Sequence, residues 1–460
     1  MQIGFAKRDI TPPVLPEGDL SLPMLGFRWE RAKAYRSVHD PLYARAMAVA
    51  PSRAEALRRA GASDAGSGIV ISCDLFGDAI GFTGRCADEI QRRCGVPADH
   101  VLFGCTHTHT SPDTLRICRK EVASWWIDAL VKQIVAAAEQ AVRALRPGTL
   151  HWAEALAPGL AVNRRARAVQ SYEEKHGPLD PHVRARNLAI DETLRCLCAV
   201  GADGKPFGAI VNFAAHPVIV QTAPMISADY CGPAAGGVED AFGSGFISLY
   251  LNGPCGDINP ACGYTANYAD CERMGRQLAE RSIRLIGDAA KAAPLRMDRI
   301  AGRLRYAEVS RQTVPDVPAL RKKEQELTAR CRDADAAGIP PKDPRHPLAT
   351  LEGLQEKLAV EEMPRTLQAP VHALRLGEVC FVSLPGEILT ALGQDVRRGI
   401  GGKVMLSECS RAHMGYVCPR EAYRVGGYET GLGTWSWLAE GAGEAIVQAA
   451  IEAAKETERS

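Results

Sequence analysis

The sequence is short of net charge: Lys and Arg total 55 against 54 Asp and Glu, a formal +1 over 460 residues. A balance of that kind gives no field to recruit nucleic acid or an anionic membrane surface. It is equally short of long apolar runs. No segment approaches the roughly 20 apolar residues that cross a bilayer, and the opening "MQIGFAKRDITPP" lacks the basic stretch and apolar core of a secretory leader. The fifteen cysteines show no repeated metal-knuckle spacing; the tightest pair is Cys196 and Cys198 in "CLC". An odd, scattered set argues against a disulfide framework, so the cysteines read as reduced thiols of a cytoplasmic protein, most of them small buried hydrophobes. There is no internal repeat and no linker strong enough to divide the chain. These absences leave a small-molecule substrate as the expected partner, with no nucleic acid and no membrane, and they leave homo-oligomerisation open.

What is present is a chain with 46% hydrophobic residues, enough for a well-packed core. Apolar strand-like runs alternate with amphipathic helical ones, the pattern of an α/β protein. The strand candidates are "LYARAMAVA" (42–50), "GIVISCD" (68–74), "HVLFGC" (100–105), "FGAIVNFAAH" (207–216), "FISLYLNG" (246–253) and "EVCFVSLPG" (378–386). Helices are expected over 120–145, 264–287 and 436–457. "PSRAEALRRAGASDAGSG" (51–68) is small and polar and reads as a surface loop. Residues 316–365 carry dense charge on either side of "IPPKDPRHP", which predicts a solvated helical hairpin inserted into the frame.

Several strand candidates end in polar clusters, where α/β proteins place their chemistry. "CTHTHTSPDT" follows one strand, with His107 and His109 one residue apart. In a continuing strand, residues two apart share a face, so both imidazoles would emerge together as ligands, catalysts or packing groups. His216 in "NFAAHPVIV" stands where Pro217 breaks another strand. It caps that strand by hydrogen bonding or binds a metal, with Asp229 of "ISADYCGPAAGG" a candidate to orient the imidazole. "LYLNGPCGDINPACG" (249–263) is a strand running into a turn-forming loop that presents Asp257 and Asn259. Glu387 in "VSLPGEILTALG" stands at the start of a helix, favoured there by the macrodipole or serving as a hard oxygen ligand. "HMGYVCPREAYRVGGYETG" (413–431) holds three tyrosines in an irregular segment, and Arg164 in "VNRRAR" has a planar guanidinium suited to carbonyl or carboxylate recognition.

Taken in order, "KRDITPP", "THTHTSP", "VNRR", "FAAHP", "SADY", "NGPCGDINP", "LPGE" and "GYVCPREAYRVGGYE" resemble the neutral/alkaline non-lysosomal ceramidase family, from about residue 3 to about residue 431. The resemblance implies one large domain of mixed β-sheets packed between α-helices, and a zinc-dependent amidohydrolase with one Zn2+ per chain. It implies His107, His216, Glu387 and Tyr416 as the ligands, a set of two nitrogen and two oxygen donors that suits zinc. His109 would contact the reacting carbonyl beside the metal, and Arg164 and Tyr428 would be polar groups on the substrate side. Asp229 and Asp257 are expected to support the ligands from behind.

The sequence also departs from that family. Where ceramidases carry a serine in GD-x-SP, proposed there as a nucleophile, this chain has Asn259. An amide cannot replace an alkoxide, so Asn259 is expected to donate a hydrogen bond to a tetrahedral oxyanion or to hold the attacking water. The leader and the C-terminal immunoglobulin-like domain of secreted or membrane-bound ceramidases are not expected here, and a smaller, more polar substrate than ceramide is. The expected reaction is hydrolysis of an amide C–N bond by metal-activated water. The alternatives are a lactone or ester hydrolase on the same site, a catalytically silent metal-containing binding protein, or a two-histidine centre in which Glu387 and Tyr416 are structural.

Overall fold

The apolar runs become strands of two mixed sheets in the computed structural model, which describes residues 1–14, 22, 24, 35–52, 66–79, 81–115, 122–341 and 343–459. The larger sheet has β1 (Gln2–Asp9), β2 (Tyr43–Ala50), β3 (Gly68–Cys73), β4 (Val101–Cys105), β5 (Arg146–Leu156), β6 (Thr193–Gly201), β7 (Pro206–Phe213) and β8 (Ile247–Asn252). Their spatial order is β8-β7-β6-β5-β1-β2-β3-β4. The smaller has β9 (Ile300–Ser310), β10 (Thr366–Leu376), β11 (Val379–Ser383) and β12 (Lys403–Ser407), in that order. The pairs β3/β4, β7/β8 and β11/β12 run parallel. Along the chain the strands alternate with α1 (Phe82–Cys94), α2 (Ser124–Arg143), α3 (Ala166–His176), α4 (Cys231–Phe242), α5 (Tyr268–Lys291), α6 (Val317–Ala336), α7 (Leu348–Glu362), α8 (Thr390–Ile400) and α9 (Ala442–Arg459).

The sheets pack face to face through one shared core, in which Val70, Leu102 and Leu251 of the larger meet Leu374, Phe381 and Met405 of the smaller. Helices cover the outer faces: α1 and α2 over one half of the larger sheet, α4 and α5 over the other, α8 and α9 over the smaller. Each helix buries one stripe. In α9 that stripe is Ile446, Ala449, Ala450, Ala453 and Ala454, the spacing of one face of a helix. The expected α/β class, with mixed sheets between helices, is what forms. The predicted helix over 120–145 runs from Ser124 to Arg143, residues 120 and 121 lying outside the described residues. The one expected from 436 begins only at Ala442, after a turn through Gly441 at φ 95°. Of the loop expected over 51–68, residues 53–65 lie outside the described residues and Gly68 already belongs to β3. Residues 316–365 hold α6 and α7, which share a small apolar cluster of their own around Leu327, Leu354 and Leu358.

One glycine lets the sheets close on the functional region. A Cβ on Gly104 of β4 would lie 2.5 Å from Ser407 Oγ of β12 and 2.6 Å from a Leu251 methyl of β8, so any side chain there would push three strands apart. Among the described residues no helix is long and apolar enough to cross a membrane. The cysteines among them are all free and, Cys94 and Cys262 apart, buried.

His372 of β10 couples this core to pH. Its ring is wholly buried and its Nε2 donates to the Asp99 carbonyl at 2.7 Å. Burial first, then the charge of Arg411, pushes its pKa down to about 3. An unfolded histidine titrates near 6.5, so the folded state binds the proton less tightly. The stability due to neutral His372 is present above about pH 6.5 and is lost as pH falls towards about 3, with a slope approaching 1.4 kcal/mol per pH unit. His372→Gln keeps a donor for the Asp99 carbonyl and removes the titration. Chemical denaturation across this window should give a shallower acid loss in the variant than in wild type; parallel profiles would assign the loss to other groups.

Candidate metal centre

Strands of both sheets end in one region, always at their C-terminal ends: β4 leads to His107 and His109, β7 to His216, β11 to Glu387, and β12 to Cys409, His413 and Tyr416. β4 stops at Cys105, and His107 takes a left-handed backbone with φ 68°, a conformation side chains rarely adopt. The two histidines therefore meet through a turn rather than by strand alternation, with ring centroids 4.9 Å apart and planes at 84°.

Each ring is fixed from behind. His107 Nδ1 bonds the Phe76 carbonyl at 2.9 Å, and its Nε2 is buried without a hydrogen-bond partner. His216 Nδ1 bonds the carbonyls of Cys255 at 2.6 Å and Ile258 at 3.1 Å, and its Nε2 lies 3.0 Å from Glu387 Oε2. Glu387 and Tyr416 are register partners in a short parallel pair, Glu387–Ile388 with Tyr416–Val417, and paired residues share a face. That pairing sets the carboxylate beside the phenol. Glu387 Oε1 lies 3.2 Å from His413 Nε2.

Burial alone would raise the Glu387 carboxyl; the imidazoles of His107, His216 and His413 outweigh it and hold the group well below the usual carboxylate range. Burial pushes His216 down to about 4, and His109 well below its ordinary value with help from the two neighbouring imidazoles. The centre is thus one carboxylate facing nitrogen donors of two kinds: burial disfavours the charged form of His216 and His109, whereas at His107 the Glu387 carboxylate outweighs burial and raises the pKa. Donors set tetrahedrally about 2.0–2.1 Å from a zinc-like ion lie roughly 3.3 Å apart. The distances from Glu387 Oε2 to His216 Nε2 and to His107 Nε2, 3.0 and 3.7 Å, bracket that spacing. Ligand atoms of His107, His109 and His216 fall within 4.8 Å of one another, as do those of His107, Cys409 and His413. The residues present fit a divalent cation.

The other expected residues divide. Arg164 lines the adjoining cavity, but its guanidinium is already engaged by Glu429 at 2.8 Å, Asn259 at 3.3 Å, the Gly256 carbonyl at 2.7 Å and the Tyr416 hydroxyl at 2.9 Å. It holds the site together. Asn259 lines the same cavity and gives a hydrogen to Tyr264. Tyr428 stands at the rim, 57% exposed and stacked on Trp435 at 5.5 Å.

Asp229 and Asp257 touch no ligand ring. Asp229 accepts from the backbone of Val220 and Tyr230, and the ring nitrogen of His216 that it was expected to hold goes to two carbonyls. Asp257 ties Thr390 to Asn163 instead. Burial pushes these two carboxyls up, to about 7 and about 6.

Three contributors, His413, Glu429 and Arg165, carry no mark in the sequence that singles them out. His413 heads the quoted tyrosine-rich segment and turns out to bond Glu387. Glu429 lies in the same segment and joins Arg164 to the buried Arg165, at 2.8 and 2.6 Å. His413 also takes the Gly415 N–H on Nδ1 at 3.4 Å, which leaves its Nε2 to donate to Glu387. His413→Ala should therefore weaken metal affinity about 10- to 100-fold, measured by competition with a chromophoric chelator, and His413→Gln should restore much of it. Unchanged affinity in the alanine variant would remove His413 from this role.

No family model matches the chain, and no curated protein matches it. Solved structures similar over its whole length include two of ceramidases. The crystal structure of neutral ceramidase from Pseudomonas aeruginosa superposes with a TM-score of 0.74 at 19% identity, over 100% of this chain and 74% of that one. A ceramidase complexed with C2 gives a TM-score of 0.75 at 18% identity, over 100% and 75%. At such identities the likeness is one of architecture: the chain has a neutral ceramidase-like fold.

Proposed function

We propose that the chain is a zinc-dependent hydrolase that cleaves the amide C–N bond of a small, polar molecule. The observation that carries this reading is a pair of buried imidazole nitrogens without hydrogen-bond partners, His107 Nε2 and His109 Nε2, next to the Glu387–His216 pair. His109 and His216 also line a cavity of about 700 Å³. A buried polar atom left unpaired is unfavourable, so two of them together call for a ligand.

His107, His216 and Glu387 would hold the ion, with the Tyr416 hydroxyl as a fourth donor. Bound there, zinc supplies a Lewis acid for the scissile carbonyl and acidity for water. His109, neutral at physiological pH, holds or moves a proton at Nε2 beside the reacting group. Arg164 keeps Tyr416 and Asn259 in place. Asn259 Nδ2 gives one hydrogen to Tyr264, and its second meets the developing oxyanion. A lactone or ester would be served by the same tetrahedral chemistry. The unpartnered His109 favours an enzyme over a silent binding protein, which needs no proton-handling group beside its metal.

The test joins metal content to turnover. Wild type should retain about one zinc per chain, lost in His216→Ala, and should hydrolyse members of a panel of short amides and lactones. His109→Ala should keep the zinc and lose about 10²- to 10⁴-fold in kcat. Zinc retention with no turnover on any member would favour the silent protein, and full activity without metal would exclude the proposal.

A further inference from the structure

The cavity beside the metal centre carries more positive charge than its own acid balances. Arg164 and Arg167 both line it, and Glu429 is its acidic lining residue. Glu429 is already shared between Arg164 and Arg165. Arg167 is left over: it is exposed, and among the described residues it has no hydrogen bond or ion pair. It sits in the first turn of α3, which has no acidic residue there. A cation at that end opposes the helix dipole, so local electrostatics do not explain an arginine at this place.

Arg164, Arg167, Ala168 and Ser171 lie three and four residues apart and face the same space. Ser171, Gln221 and Tyr264 add hydroxyl and amide groups, and Ala168 and Val218 are the aliphatic side chains in the wall. Such a lining, with hydrogen-bonding groups set among short apolar side chains and the rings of Tyr416 and Tyr428, suits a small molecule anchored by polar contacts. Two further carboxylates are felt at Tyr428, and neither lines the cavity: Glu387 is taken up by the imidazoles of the metal centre, and Glu356 of α7 acts at the rim.

We propose that the cavity selects amides carrying a carboxylate away from the scissile bond, and that Arg167 is the residue that reads it. This rests on the hydrolase reading above. A guanidinium fork pairs both oxygens of a carboxylate at once, which fixes the far end of the substrate while its carbonyl faces His109. The carboxylate can belong to the amine side, as in an N-acyl amino acid, or to the acyl side, as in the half-amide of a dicarboxylic acid.

Two matched pairs separate these sources: N-butanoylglycine against N-butanoylglycinamide, and N-phenylsuccinamic acid against N-phenylbutanamide. In at least one pair the charged member should show a kcat/KM at least about tenfold higher. Arg167→Gln should remove that preference and Arg167→Lys should keep part of it. Equal or better turnover of the neutral member in both pairs, or a preference that survives in Arg167→Gln, overturns the inference while leaving the hydrolase reading in place. If none of the four is hydrolysed, equilibrium binding of the same compounds to zinc-loaded protein decides. Binding selective for the charged members and lost in Arg167→Gln sustains the subsite without the hydrolase, and binding indifferent to charge ends it.

Discussion

The ionised carboxylate of Glu387, sealed from solvent, is the constraint on which the surrounding structure depends. A charge taken out of water must be met by partners at close range. Here they are His216 at 3.0 Å, His413 at 3.2 Å and His107 at 3.7 Å. Those partners come from loops after β7, β12 and β4, so both sheets must keep their mutual registration for the charge to stay compensated. The absence of a side chain at Gly104 permits that approach, and the shared apolar layer between the sheets holds it. Core packing and site geometry are therefore one problem in this fold. A change that parts the sheets also uncovers a buried charge.

Much of the frame can be read directly. Strands buried on both faces appear as short apolar runs, and six such runs fall on β2, β3, β4, β7, β8 and β11. Their ends are visible because each breaks into a polar cluster, and four of those clusters hold His107, His216, Asn259 and Glu387. What stays hidden is whatever depends on distant chain meeting distant chain. Arg165 and Glu429 are 264 positions apart in the chain and contact each other directly. Nothing local marks the pair. The assignment of Asp229 to His216 failed for a related reason: the true partners of that ring are backbone carbonyls of Cys255 and Ile258, and backbone acceptors leave no signature in residue identity. The closeness of His107 and His109 was legible, but its cause, a left-handed turn at His107, was not.

The fold is shared with ceramidases, and fold alone does not choose a substrate. The cavity wall bears on that choice: there Asn259 bonds Arg164 and Tyr264, and Arg167 stands without an acidic partner among the described residues. In the proposed hydrolase those features would meet the far end of a substrate, and His107, His216 and Glu387 would lie at the bond that breaks. The two groups are joined through Arg164, which links Tyr416, Asn259 and Glu429 in a single hydrogen-bonded set.

The central claim is that the ion sits between His107, His216 and Glu387, and X-ray absorption at the zinc edge on reconstituted protein tests it most directly. The account predicts a shell of nitrogen and oxygen alone at about 2.0–2.1 Å, with imidazole scattering from two or more rings. A sulfur neighbour at about 2.3 Å would place the metal instead among His107, Cys409 and His413, the other group of donors close enough to share an ion. That result, or a correctly folded protein that takes up no zinc, would contradict the account.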